Sequence, residues 1–166
     1  MTSGFWDFSL KTYAQPGVAD ALLTMQNTHG ADVNLLLYCA WHAASGRGEL
    51  FPERIAVLDS RVEAWRRVVI GALRNVREHI KSDAVFTQLP GSRQAREKVL
   101  EAELACEQVA QQLLESLTEN KPVAISEERA VESFGASLGA YCDYLGLARD
   151  SRTPVLEALR VAFRNN

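Results

Sequence analysis

Apolar residues recur along this chain at three- and four-residue steps almost everywhere, and no apolar–polar alternation of a half-buried strand persists. Residues 5–14 predict a short first helix with Trp6, Leu10 and Tyr13 on one side. Gln15-Pro16-Gly17 breaks it, because proline lacks the donor to continue a helix. Residues 18–28 follow, with Val18, Leu22 and Met25 in line and Gly30 as the stop. Residues 35–44 are apolar nearly all round, as a central buried helix should be. Asp32 stands before that run, where its carboxylate can accept first-turn N–H bonds and meet the positive end of the dipole. Ser45-Gly46-Arg47-Gly48 ends the helix.

The second half of the pattern is longer-winded. From Pro52 or Glu53 to about Ser82, Val62, Trp65, Val69, Leu73, Val76 and Ile80 form one apolar stripe. Residues 82–91 (SDAVFTQLPG) read as a loop. A second long helix from about Ser92 to Glu119 carries Val99, Cys106, Val109, Leu113 and Leu117 inward, and Asn120-Lys121-Pro122 ends it. Residues 127–147 make another helix, punctuated by Gly135, Gly139 and Gly146. Thr153-Pro154 opens a last helix, as cap and first residue, that runs to the chain end. The pattern predicts one all-α domain over residues 1–166, a bundle of about seven helices with two of them long. No internal repeat or linker marks a second domain.

Composition changes that picture little. With 47% hydrophobic and 23% charged residues the chain reads as an ordinary globular protein. A net charge of −3 gives no global attraction to nucleic acid or anionic lipid, so any such pull must come from a local patch. The first residues, MTSGFWDFSLK, lack the pattern of a signal peptide. No stretch approaches the roughly 20 apolar residues needed to cross a bilayer, and no membrane association is expected. Three scattered cysteines, Cys39, Cys106 and Cys142, argue for reduced thiols in a cytoplasmic protein.

The segments PGVADALL, MQNTHGADVNLLLYCAW and Trp65 with VIGALRNVREHIK resemble the hallmarks of an uncharacterised proteobacterial domain-of-unknown-function family. Its pattern has a tryptophan near the N-terminus, a Pro-Gly-Val, a Leu-Gln pair before Gly-x-Asp-Val-Asn-Leu-Leu-Leu, and a Pro-Leu-Arg-x-x-Arg-Arg-x-Leu-Lys helix. The likeness covers roughly residues 5–81. Ala72 stands where that pattern has proline, and Glu78 where it has a second arginine, so no function resting on a kinked, maximally basic helix is carried over. The resemblance implies no activity, substrate or cofactor.

Three groups of residues are candidates for function. Between Arg61 and Lys81 six Lys/Arg accompany two acids; Arg67, Arg74 and Lys81 are seven apart and Arg77 follows Arg74 by three, which places four cations on one face. With Arg66, that face is the expected partner-binding surface: Arg66, Arg67, Arg74, Arg77 and Lys81. The alternative is a face paired with the neighbouring acidic helix, which carries Glu97, Glu101, Glu103, Glu107, Glu115 and Glu119. Second, Cys39 and His42 share a helix face, but two further metal ligands at matching spacing are missing, so no metal or cofactor is expected. Third, Asp32 and Asn34 together with Trp41 and His42 are the candidate ligand pocket, set against the reading that they cap and satisfy one another.

No nucleotide-binding, zinc-protease, hydrolase or di-iron signature is present, and no catalytic residue is assigned. Arginines without interleaved aromatics on a net acidic chain do not favour nucleic acid. The expectation is a non-enzymatic cytoplasmic protein-interaction protein, adaptor or regulatory, that uses the basic helix face. The runner-up is a small-molecule-binding protein or unrecognised enzyme with a pocket near Asp32, Asn34, Trp41 and His42. Gly135 and Gly139 allow close helix approach or self-association, which leaves the oligomeric state open.

Overall fold

The computed structural model describes residues 4–163, with the side chains of 149, 161 and 162 excepted; the predicted run of the last helix to the chain end falls partly outside the described residues. The chain is all-α, a single domain, and the described residues contain no strand. The elements are α1 (Gly4–Tyr13), α2 (Val18–His29), α3 (Val33–Ala44), α4 (Pro52–Trp65), α5 (Gly71–Ser82), α6 (Ser92–Ser116), α7 (Glu127–Tyr144) and α8 (Thr153–Leu159). Single-turn pieces lie at Phe86–Gln88, Arg149–Arg152 and Arg160–Phe163. No helix among them is long and apolar enough to cross a membrane.

Helix α3 is the axis of the body. Residues 34–43 are all buried, and α1, α2, α6 and α7 pack around them. Its sequence dictates this position, since an amphipathic stripe is absent and only full enclosure removes so many apolar side chains from water. Each large one contributes about 1.5–3 kcal/mol on burial. Phe5 of α1 lies against Tyr38 and Trp41, with ring centroids 5.4 and 5.2 Å away. Phe134, Leu138, Tyr141 and Cys142 of α7 close the other side. Glycines set two of the approaches. Gly46, at φ +70°, lies so close to the Val123 carbonyl that no side chain could stand there. Gly139 lies under the Arg152 guanidinium and Gly135 near Leu156, so this pair of glycines serves contacts within the chain.

Two predicted faces differ from the observed ones. In α1 the buried side is Phe5, Phe8, Ser9 and Thr12, while Leu10 and Tyr13 are exposed. Phe5 supplies the apolar contact with α3, and the small Ser9 and Thr12 share the buried side with it. In α6 the buried residues are Glu103, Ala110, Gln111 and Leu114, whereas Val109 and Leu113 are exposed. That helix turns carboxylates and an amide inward, because cationic and amide partners on α3 and α5 wait there.

The long helix from Pro52 is 31 residues end to end, as two joined helices. Arg66–Ile70 between them is a π-turn, closed by the Gly71 N–H donating to the Arg66 carbonyl. A π-turn inserts one residue, which rotates everything after it by about 100° relative to a straight helix. Ile70 thereby joins Val62 on the buried side, and Arg74 and Arg77 follow it. Helix α5 has no fully buried residue and packs chiefly on α6 as a helical hairpin, while α6 packs also on α1, α3 and α4.

Candidate functional site

At the N-terminus of α3, Asp32 caps the helix: its Oδ1 accepts the backbone N–H groups of Asn34 at 2.7 Å and Leu35 at 3.4 Å. The same carboxylate accepts a bond from Arg66 Nη1 at 2.7 Å through Oδ2. Arg66 Nη1 also donates to Asp59 at 2.7 Å, and Tyr144 donates its hydroxyl to the other oxygen of Asp59 at 3.0 Å. The backbone N–H of Asp32 donates to the Tyr141 hydroxyl at 2.8 Å. Three helices and the π-turn are thus tied at one capping residue. Burial works against the charge of Arg66, but the bonds to Asp32 and Asp59 outweigh it and hold its proton more firmly than usual.

Asn34 continues the chain of contacts. It donates through Nδ2 to Glu107 and accepts through Oδ1 from Gln111 Nε2 at 2.9 Å. Arg74 bridges Glu103 and Glu107, at 3.0 Å each, and Arg77 donates to Glu103 at 2.7 Å. Glu103 is only 5% exposed, and a carboxylate so deeply placed requires this pair of guanidinium partners. Burial pushes the Glu107 carboxyl up from its ordinary value; the Asn34 amide opposes that shift, Asp32 reinforces it and Arg74 opposes it.

A cleft of about 160 Å³ opens over this seam, lined among others by Gln26, Asp32, Asn34, Arg66, Arg74 and Glu107. Pockets for small ligands typically measure ~300–1,000 Å³ and have mostly apolar walls. This one is smaller, and its charged groups are bonded to one another. Of the predicted pocket residues, Asp32 and Asn34 meet here, while Trp41 and His42 lie at the far end of α3. Trp41 is buried beneath the Arg47 guanidinium, which stands 4.3 Å from its ring. His42 lies against Tyr38 and shares a 2.9 Å bond with the Gly48 carbonyl, which requires the proton on Nδ1. Burial lowers its pKa, the Gly48 carbonyl opposes that shift, and Arg47 and Arg54 add to it. Burial pushes the Cys39 thiol up to about 12, which leaves it uncharged at neutral pH. No group of three His, Cys, Asp or Glu among the described residues could hold a metal ion.

The five cations expected on one face are divided. Arg66, Arg74 and Arg77 turn to acids of the same chain, whereas Arg67 and Lys81 stay exposed beside Glu63 and Glu78. The inserted residue of the π-turn breaks the seven-residue register that joined Arg67 to Arg74. The sequence signals for Glu103, Glu107 and Gln111 were weak, since nothing in a helical run of acids marks which ones turn inward.

The rotation also moves the apolar stripe. Val69, Leu73, Val76 and Ile80 lie about 100° round α5 from the arginines. With Trp65 on one helix and Val99, Cys106, Val109 and Leu113 on the other, they form the opposite flank of the hairpin. The Trp65 indole N–H donates to the Cys106 carbonyl at 3.0 Å and ties this flank together. None of these residues is fully buried; Val76 is 49% and Val109 47% exposed.

Fold and site define an all-α protein whose α5 and α6 are joined by a partly buried ion-pair seam, linked to α3 through Asn34 and Asp32. Over residues 4–114, more than half of its length, the chain matches the family described as "Protein of unknown function (DUF2390)", and it belongs to that family. The resemblance to an uncharacterised domain family is thereby borne out, and the match extends through most of α6. Comparison with curated proteins and with solved structures gave no match.

Proposed function

We propose that this protein is a non-enzymatic, cytoplasmic interaction protein whose α5–α6 hairpin receives an amphipathic helix of a partner protein. The observation that carries the reading is an apolar flank on which Trp65, Val76, Val109 and Leu113 are exposed beside the half-buried Val69, Leu73, Val99 and Cys106. Two antiparallel helices with an uncovered apolar flank offer the groove into which a third helix lays its own apolar face. The basic side is the weaker contact surface, because Arg66, Arg74 and Arg77 already have carboxylate partners within the chain. Three unpaired thiols fit a reducing compartment.

Affinity capture from a native lysate tests this, with wild type beside Val76→Glu/Val109→Glu and Arg67→Glu. Loss of a partner with Val76→Glu/Val109→Glu alone, at unchanged helicity, is the expected result. Capture that survives it and fails with Arg67→Glu returns the contact to the basic side. Dimerisation of the pure wild type that the apolar pair abolishes makes a second copy the occupant. Arg74→Glu is unsuited to this test, since it sets a carboxylate against Glu103 and Glu107.

A further inference from the structure

The loop that joins α5 to α6 is the far end of the hairpin, and three apolar side chains stand open there. Val85 is 71%, Phe86 58% and Leu89 52% exposed. The loop is held in shape. The Asp83 carboxylate accepts the N–H groups of Val85 and Phe86, both at 2.9 Å, and the Thr87 hydroxyl donates to the Asp83 carbonyl at 2.7 Å. Beside these residues lies a notch of about 180 Å³ lined by Ile80, Lys81, Thr87, Ser92, Arg93 and Arg96.

The cations of the notch are differently placed from those of the seam. Arg93 reaches Glu97 only at 3.9 Å and Lys81 reaches Glu78 only at 3.8 Å; Arg96 has no ion pair among the described residues. Three acids stand near them, Glu78, Asp83 and Glu97; Glu78 is shared with Arg77 at 2.6 Å, and Asp83 accepts the loop amides. The lining of the notch itself holds Lys81, Arg93 and Arg96 and no acid, on a chain that is acidic as a whole.

A convex tip of three apolar side chains with three cations close by fits an anionic bilayer better than a folded protein. A protein partner needs a matching cavity. A bilayer is fluid, accepts a protrusion, and carries phosphates at the depth where cations beside the tip would lie. We propose that the tip of the α5–α6 hairpin is a peripheral contact for anionic lipid, in which Lys81, Arg93 and Arg96 hold lipid phosphate while Val85, Phe86 and Leu89 enter the interface. Such a contact needs no spanning helix. It departs from the expectation of no membrane association, which rested on spanning length, and it is independent of the partner helix proposed for the hairpin flank.

Flotation of the full chain with vesicles tests it, using phosphatidylcholine alone and equal parts phosphatidylcholine and phosphatidylglycerol. Wild type is expected to float with the anionic vesicles only. Phe86→Ser/Leu89→Ser and, separately, Lys81→Glu/Arg96→Glu are each expected to lower the partition coefficient by about tenfold or more. These positions are exposed, and unchanged circular dichroism confirms the fold of each variant. No flotation of wild type, or flotation indifferent to either pair, overturns the proposal. Calorimetric titration with inorganic phosphate separates the sources. Tight phosphate binding that survives Phe86→Ser/Leu89→Ser, without flotation, assigns the notch to a soluble anion and overturns the lipid contact.

Discussion

The body around α3 and the α5–α6 hairpin are built by opposite rules. In the body, apolar side chains face inward and most polar ones outward: Leu35, Leu36, Phe134 and Leu138 are enclosed, and the buried Asp32, Asn34 and Ser137 serve a cap and links between elements. In the hairpin the face toward the body and the partner helix is charged, with Arg74, Arg77, Glu103 and Glu107, while valines and leucines stand partly open on the flank. The comparison teaches that helical periodicity locates an apolar stripe but does not say which neighbour covers it. Where an ion-pair seam takes the inward position, the stripe is left partly open.

The largest effect belongs to the body. Phe134→Ala is expected to cost about 3–5 kcal/mol in urea unfolding, because a closed core relaxes little around the cavity. Next comes the seam. Glu103→Ala is expected to cost about 1–3 kcal/mol, less than a fully enclosed pair, because Arg74 and Arg77 are partly exposed and can rehydrate. Its signature is local, with faster amide exchange in α5 and little change in α3. A global loss equal to that of Phe134→Ala would erase the distinction between the two regions.

Acid sharpens the contrast in sign. Burial depresses the His42 pKa below its ordinary 6.5, so the unfolded chain takes up the proton first and the body loses stability as pH falls through that window. Glu107 behaves oppositely. Its raised pKa means that the fold holds this proton more firmly, and its contribution, full below about 4.5, is lost as pH rises through the folded value. Melting curves should show His42→Gln losing less stability than wild type as pH drops below 6.5, and Glu107→Gln removing the decline above 4.5. The smallest effect is expected on the flank: Val76→Ser changes stability by less than about 0.5 kcal/mol, since that residue is already half exposed. A larger loss would mean that the flank is part of the core.

Much of the body was legible in sequence. Asp32 as the cap of α3, Gly30 as the stop of α2, the buried stripe Val18, Leu22 and Met25, and the helical hairpin all follow from local rules. The contacts of Asn34 with Glu107 and Gln111 were not legible, because those partners lie more than 70 residues away in sequence. The separation of His42 from Asn34 was hidden for a simpler reason. Eight positions along a helix span about 12 Å, so proximity in sequence does not make one pocket.

The sequence by itself determined that this chain is helical throughout, where most helices begin and end, and that α3 must be central. Those features rest on capping, on proline and glycine, and on a run of apolar residues too broad for any surface helix. Only the tertiary structure decided the facing of α5 and α6. The π-turn at Arg66–Ile70 is one residue of added rotation, invisible to a pattern read at fixed periodicity. That rotation turns Arg74 and Arg77 toward the acids of α6, and it leaves the apolar flank open.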